Sequence, residues 1–191
     1  MGTYINRTTA TGFTSDKKFT ASMWFKGDTP PAADAYLWNI GKASGSSNTI
    51  LIYFASNGGI NIIGNDPDFQ QYGAVRLRDP SAWYHVVLAM DTTQSTQADR
   101  VTVWLNGIEL DADAYWNSRG YPAEDDVLTA LASGKVQWIG SSYNGASNSW
   151  KGLMSHVHYC DGYTYTATDF GEFDSTSGIW KIKTSPSVTY G

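Results

Sequence analysis

Cysteine is almost absent from this 191-residue chain: Cys160 stands alone. No internal disulfide can form, so the fold must rest on its core, and a lone thiol suits assembly in a reducing cytoplasm. Charge is sparse as well, at 16% of residues with a net −5. No basic stripe is present, and the electrostatic footprint of a nucleic-acid binder is missing with it. No apolar run approaches the roughly 18 residues that a membrane-spanning helix needs. A charged and apolar leader pattern is missing from the start. Met1-Gly2 and the abrupt Val188-Thr189-Tyr190-Gly191 are both expected to be cuts from a longer protein. Helix signals are scarce. Pro122 to Leu131, opening on Pro and acids and stopping before Gly134, predicts one short helix with Val127, Leu128 and Leu131 inward. Thr166-Ala167-Thr168-Asp169 predicts a single capped turn.

What is abundant is aromatic: 8 Trp and 12 Tyr among 191 residues, types that favour pleated sheets and binding surfaces. Phe19 to Lys26 alternates, with Phe19, Ala21, Met23 and Phe25 on one side and Thr20, Ser22, Trp24 and Lys26 on the other. That period of two predicts a strand with one face on a core. Tyr36 to Gly41 and Ile50 to Ala55 are of strand length, and Ser56-Asn57-Gly58-Gly59 turns the chain into Ile60 to Ile63. Trp83 to Met90 predicts a strand buried on both faces. Val101 to Leu105, the Asn106-Gly107 turn and Ile108 to Leu110 predict a type I′ hairpin, because both turn residues accept positive φ. Val136 to Gly140, Leu153 to Tyr159 and Gly178 to Lys183 complete the set. Eight or more strands with turn punctuation predict one all-β domain over residues 1–191: a sandwich of two antiparallel sheets with one or two short helical turns.

Three blocks, in order, resemble the laminin-G-like (concanavalin-A-like) lectin domains. They are Phe19-Thr20-Ala21-Ser22-Met23-Trp24-Phe25-Lys26; Trp83-Tyr84-His85-Val86-Val87 with Val103-Trp104-Leu105-Asn106-Gly107; and Ile139-Gly140 with Trp150-Lys151-Gly152-Leu153-Met154-Ser155-His156-Val157. The resemblance implies a jelly-roll β-sandwich. Ser155-His156 replaces the family's acidic pair, so acidic roles do not carry over there. Asp169-Phe170-Gly171-Glu172-Phe173-Asp174 followed by Gly178-Ile179-Trp180 is similar to a tail found in bacteriophage virion proteins. That similarity implies a tail over residues 161–191 packing on the sandwich, and a virion setting assembled in the host cytoplasm.

The candidate sites follow from side-chain chemistry. Sugars present apolar C–H faces, which an aromatic plane covers, and hydroxyls, which amides and charged groups read. Two loops have that make-up: Tyr115, Trp116, Asn117, Arg119 and Tyr121 in one, and Tyr143, Asn144, Asn148 and Trp150 in the other. Asp68-Phe69-Gln70-Gln71-Tyr72 is a third aromatic–amide run. The family resemblance raises a rim Ca2+ site, for which Asp111 and Asp113 are the candidate ligands. Asp66 with Asp68 and Glu124-Asp125-Asp126 are further oxygen clusters, though acids also suit a helix start. His156 and His158, two apart on a strand, would bind Zn2+ only with a third ligand. Asn6-Arg7-Thr8 fits a glycosylation sequon. A jelly-roll glucanase needs two glutamates on one strand, whereas Glu172-Phe173-Asp174 runs into Ser175-Thr176-Ser177 with no second Glu. Cys160 has no nucleophile motif around it and is expected to be buried. The expectation is therefore a non-catalytic module that binds a host surface glycan or receptor. The rivals are a structural domain that oligomerises or contacts other virion proteins and, less favoured, a polysaccharide hydrolase.

Overall fold

The computed structural model describes residues 4–8, 13–27, 31–41, 48–141 and 148–191. The strands are β1 (Ile5–Thr8), β2 (Lys18–Gly27), β3 (Ala35–Ile40), β4 (Ile50–Phe54), β5 (Ile60–Asn65), β6 (Asp68–Gly73) and β7 (Tyr84–Asp91). They continue as β8 (Val101–Leu105), β9 (Ile108–Glu109), β10 (Trp116–Gly120), β11 (Val136–Ile139) and β12 (Gly152–Asp161). A helical turn α1 (Ala167–Phe170) and the strands β13 (Gly171–Phe173) and β14 (Trp180–Ile182) close the chain. Two antiparallel sheets form a jelly-roll sandwich. One has seven strands in the order β1-β11-β3-β4-β5-β6-β10, and the other has five in the order β12-β2-β7-β8-β9. Among the described residues no helix is long and apolar enough to cross a membrane.

The alternation of β2 fixes the core. Phe19, Ala21, Met23 and Phe25 are fully buried and meet Ile50, Ile52 and Phe54 of β4 and Ile62 of β5 across the sandwich. Each such side chain removed from water contributes about 1.5–3 kcal/mol. The Asn106-Gly107 turn is as expected, with φ of 49° and 83° linking β8 to β9.

Register also decides what lies behind the five-stranded sheet. Trp24 stands opposite His85, Ser22 opposite Val87, and Val87 opposite Trp104, so these side chains share the outer face. That face is buried too. The C-terminal segment folds over it and contributes Ala167, Phe170 and Trp180 to a second apolar cluster with Trp24, Val87, Ala89, Trp104 and Cys160. The Trp180 indole N–H donates to His85 Nδ1 at 3.0 Å. An indole can only donate, so Nδ1 is the acceptor, His85 carries its proton on Nε2, and Ser22 Oγ accepts it at 2.8 Å. Trp24 stacks on the imidazole at 4.7 Å with a 9° tilt. Burial, reinforced by His158 and His156, pushes His85 down to about 3, so it is neutral.

One expected element is different. No α-helix forms over Pro122 to Leu131. Asp125 has φ of 62°, its N–H donates to Thr92 O, and the Leu128 N–H donates to Asp16 O. Tertiary partners have taken the N–H groups that a helical ladder would need, which leaves a single 3-10 turn at Thr129–Leu131. Leu128 and Leu131 are buried, whereas Val127 is exposed. The turn expected at Thr166 does form, and the Asp169 carboxylate accepts from the Thr166 N–H at 2.8 Å.

Candidate functional site

Successive side chains of a strand leave the sheet on opposite sides. Residues of β3 to β6 that do not feed the core therefore form the outer face of the seven-stranded sheet. The pairing register sets them in rows across the strands. One row runs Tyr36, Tyr53, Asn61, Tyr72, Ser118. The next runs Asn6, Trp138, Asn39, Leu51, Ile63, Gln70. Leu51, Tyr53 and Ala55 form an apolar cluster of their own with Tyr36, Ile63 and Tyr72 packed against it, apart from the sandwich core.

The polar groups of this face are held in place. The Tyr36 and Tyr53 rings lie 6.0 Å apart. Asn61 Oδ1 accepts from the Gly73 N–H at 3.0 Å, which turns its Nδ2 towards Tyr53, whose hydroxyl accepts at 3.1 Å. Gln70 Nε2 donates to Ser118 Oγ at 2.9 Å. Trp138 packs on Tyr4 with ring centroids 5.1 Å apart. Asn39 is 2% exposed, and its Oδ1 is buried with no partner. Burial raises the Tyr36 hydroxyl above the usual phenol range, and the charge of Asp34 raises it further. Burial likewise raises Tyr53, against the pull of the Asn61 hydrogen bond. Both phenols keep their protons at neutral pH, so they can donate as well as accept.

The loop residues picked out from sequence separate into three groups. Trp116 and Trp150 belong to the core, at 8% and 7% exposure. Trp116 Nε1 donates to Leu110 O at 2.7 Å, and Trp150 meets Phe25 edge-on at 5.7 Å, so neither presents a ring face to a ligand. Polar neighbours in sequence suggested open loops, but both indoles turn inward. Tyr115 and Tyr121 are half-buried against that core. Arg119 lies over the rings of Trp116 and Tyr121, at 5.6 and 5.3 Å. Asn117 donates to Gly73 O at 3.0 Å from a bulge in β10. Asn148, with φ of 54°, accepts at its carbonyl from the Tyr36 N–H at 2.7 Å and so lies at the margin of the outer face. Tyr143 and Asn144 lie outside the described residues.

The acidic candidates do not fit a Ca2+ ion. Asp113 is fully exposed with Arg119 Nη1 3.7 Å away, and the same nitrogen donates to the Asp111 carbonyl at 2.8 Å. A guanidinium occupies the ground between them. Among the described residues, no three His, Cys, Asp or Glu converge as a metal-binding group. Asp66 accepts from Asn48 and Thr129. His156 and His158 have rings 6.4 Å apart, with a register shift in β12 beside them and φ of 46° at His156. His158 Nδ1 bonds the Tyr190 hydroxyl at 2.9 Å. Glu172 and Asp174 both pair with Lys181, and Asp174 is held well below the usual carboxylate range by the Ser177 and Thr176 N–H groups and Lys181. Cys160 is buried, and burial pushes its thiol up to about 11. A groove of about 200 Å³ lies between Trp104 and Tyr165. Burial works against the charge of its Asp91, but hydrogen bonds from Thr93, Gln94 and Lys18 keep the carboxylate ionised.

A two-sheet antiparallel jelly roll with an aromatic and amide-bearing outer face defines a lectin-type sandwich. The chain belongs to the concanavalin A-like lectin/glucanases superfamily, whose laminin-G family model matches residues 2–167. Among solved structures it is similar to domains LG4-5 of the mouse laminin α1 chain, with 8% identity, 83% of this chain and 41% of that chain covered, and a TM-score of 0.50. It is also similar to a native heptameric SAP-like pentraxin from Limulus polyphemus, with 16% identity, 82% and 68% coverage and a TM-score of 0.49. A third is the CBM40 of Ruminococcus gnavus IT-sialidase bound to α2,3 sialyllactose, with 14% identity, 81% and 88% coverage and a TM-score of 0.49. None of the curated proteins compared matches the chain. Identities this low speak for fold alone.

Proposed function

We propose that this domain is a non-catalytic glycan-binding module that holds its ligand on the outer face of the seven-stranded sheet. The observation that carries this is the Tyr36–Tyr53–Asn61–Tyr72 row. Four adjacent strands supply it, the Asn61 amide is held between Tyr53 and Tyr72, and Tyr36 and Tyr72 at its ends are partly exposed. Rigid aromatic planes flanked by oriented amides suit the C–H faces and hydroxyls of a sugar. Membership of a lectin superfamily supports the same reading. Catalysis does not enter it, because the Glu172 and Asp174 carboxylates are tied to one lysine on the tail hairpin. The phage-like tail motif supports a virion setting, with assembly in the host cytoplasm and a host surface glycan as ligand. A glycan array with the intact chain and Tyr72→Ala tests it. Binding lost in the variant is expected, and equal binding by both would remove this face from consideration.

A second reading rests on Ile63, partly exposed beside the buried Leu51 in the other row. An apolar stripe there suits a contact with a second copy or another virion protein. Light scattering that gives a stable oligomer dispersed by Ile63→Asp would favour it.

A further inference from the structure

We infer that the C-terminal segment over residues 163–191 is an acid-released strap. Protonation of the histidines beneath it lifts the segment off the outer face of the five-stranded sheet while the sandwich stays folded. Three observations carry this, and none depends on the glycan-binding reading above.

The first is placement. The chain has three histidines, and all three gather where the segment docks. His85 takes the Trp180 indole. His158 stands opposite Ser22, the residue that holds His85 Nε2. The His158 ring lies 5.4 Å from Phe170 and 6.0 Å from Tyr190, both on the segment. His156 follows at 6.4 Å from His158, in the bulge of β12. Histidine is the side chain whose ordinary charge change falls between about pH 5 and 8. The segment is therefore seated on every such group the chain has.

The second is hydrogen-bond polarity. His85 Nδ1 accepts the Trp180 N–H at 3.0 Å. A proton added to that nitrogen sets donor against donor, and an indole has no lone pair to offer. His158 Nδ1 bonds the Tyr190 hydroxyl at 2.9 Å, and its Nε2 is buried with no partner. In a charged ring both nitrogens carry protons, so the one on Nε2 would be buried without an acceptor. Both anchors of the segment suit neutral imidazoles and oppose charged ones.

The third is charge. Among the described residues no carboxylate pairs with any of the three histidines. Asp161 accepts from the Thr14 and Ser15 N–H groups, and Asp169 from that of Thr166. Glu172 and Asp174 pair with Lys181, and Lys183 Nζ donates to the Thr168 carbonyl. Ser22 and Trp24 on β2 are uncharged, and burial keeps the Cys160 thiol and the Tyr190 phenol protonated. The charges that act on His85 are those of His158 and His156, and His156 acts on His158. Each proton taken up thus opposes the next while the segment is down, and lifting it admits water to the rings. Burial first, then these neighbours, hold both His85 and His158 below the usual histidine range. Docking is therefore full above about pH 6.5 and weakens as pH falls.

Cys160 supplies the readout. It is the chain's one thiol, fully buried in the cluster that Ala167 and Phe170 of the segment complete. The whole chain is treated with 4,4′-dithiodipyridine, and its rate is divided by that of N-acetylcysteine at the same pH to give a protection. Opening gains up to about tenfold per pH unit for each histidine that titrates, so protection should fall at least about tenfold from pH 7 to pH 5. It should respond only weakly to sub-denaturing urea, because lifting the segment exposes far less surface than unfolding the sandwich. A glutamine at position 85 can accept from Trp180 and donate to Ser22 but cannot charge. The double variant His85→Gln with His158→Gln should therefore hold its protection within about threefold over the same range. His158→Gln alone should show an intermediate fall, and it decides the matter where the double variant does not fold at pH 7. Constant protection in the native chain overturns the inference. A fall with the urea dependence of global unfolding does so too, as does an equal fall in the folded variants, which would assign the opening to carboxylates.

Discussion

The two sheets of this sandwich each carry aromatic residues on their outer faces, and the chain treats them differently. Behind the five-stranded sheet, Trp24, His85 and Trp104 are sealed by the protein's own C-terminal segment, with Trp180 laid over the imidazole. Behind the seven-stranded sheet, the Tyr36, Tyr53 and Tyr72 cluster draws, among the described residues, on β3 to β6 and their connections. The same residue types lie beneath a covering segment in one place and at the sheet's own surface in the other, where Tyr36 and Tyr72 are partly exposed and Tyr53 is buried at 8%. Among the described residues, the C-terminal segment joins the first cluster, whereas the second draws on the sheet and its connections. That segment is largely additional to the family fold, because the family match ends at residue 167 and Phe170 and Trp180 lie beyond it.

The comparison breaks first at Trp180. Two glycines leave room for its ring: a Cβ built on Gly107 or on Gly171 would stand 2.4 Å from it. Trp180→Ala empties that space and strips His85 Nδ1 of its donor. A loss of about 3–5 kcal/mol is expected, read as a fall in the urea midpoint. A loss under about 1 kcal/mol would mean that the tail is a loose cover rather than part of the core. The sealed face also predicts a pH dependence. His85 is held near 3 when folded, below the roughly 6.5 of the unfolded chain, so the unfolded state binds the extra proton between those values. Stability is then full above about pH 6.5 and declines as pH falls towards 3, by about 2 kcal/mol at pH 5 from this group. Urea titrations at pH 7 and pH 5 should show that decrement in the native chain and less of it in His85→Gln.

A smaller effect sharpens the same boundary. Gly107→Ala puts a methyl against Trp180 at a position with φ of 83°, and about 1–3 kcal/mol should be lost. In the background of Trp180→Ala the steric part of that cost should vanish and the backbone part remain. A double-mutant cycle with a coupling near zero would show that the ring gives way freely.

Sequence made some of this legible. The alternation in Phe19 to Lys26 identified the core side of β2, and Asn106-Gly107 identified its turn, because both are local signals with one steric solution. The burial of Trp24 was hidden, since its cover arrives from Trp180, more than 150 positions away. The Tyr36–Tyr53–Asn61–Tyr72 row was hidden for the same reason: a row across strands exists only once the register of three ladders is set. Within Asp68 to Tyr72, alternation alone would have put Gln70 and Tyr72 on one side, a usable hint. Trp116 and Trp150 misled because a side chain outside a long periodic run carries no sign of which way it points. The capping pattern at Thr166 succeeded where the Pro122 signal failed. The first is completed within four residues, whereas the second was overridden by Thr92 and Asp16.

The smallest expected effect on stability belongs to the outer face of the seven-stranded sheet, and it is the most diagnostic. Tyr72 is half-buried, standing between Asn61 and Ser118, and it packs on the Leu51, Tyr53 and Ala55 cluster. If this face is a binding surface rather than an unfinished core, Tyr72→Ala should cost less than about 1 kcal/mol in a urea titration, well below the Trp180→Ala loss. The same variant should abolish most of the binding to the preferred glycan. A large stability loss with binding intact would mean that the tyrosine row is structural like its counterpart behind the other sheet, and the distinction between the two faces would collapse.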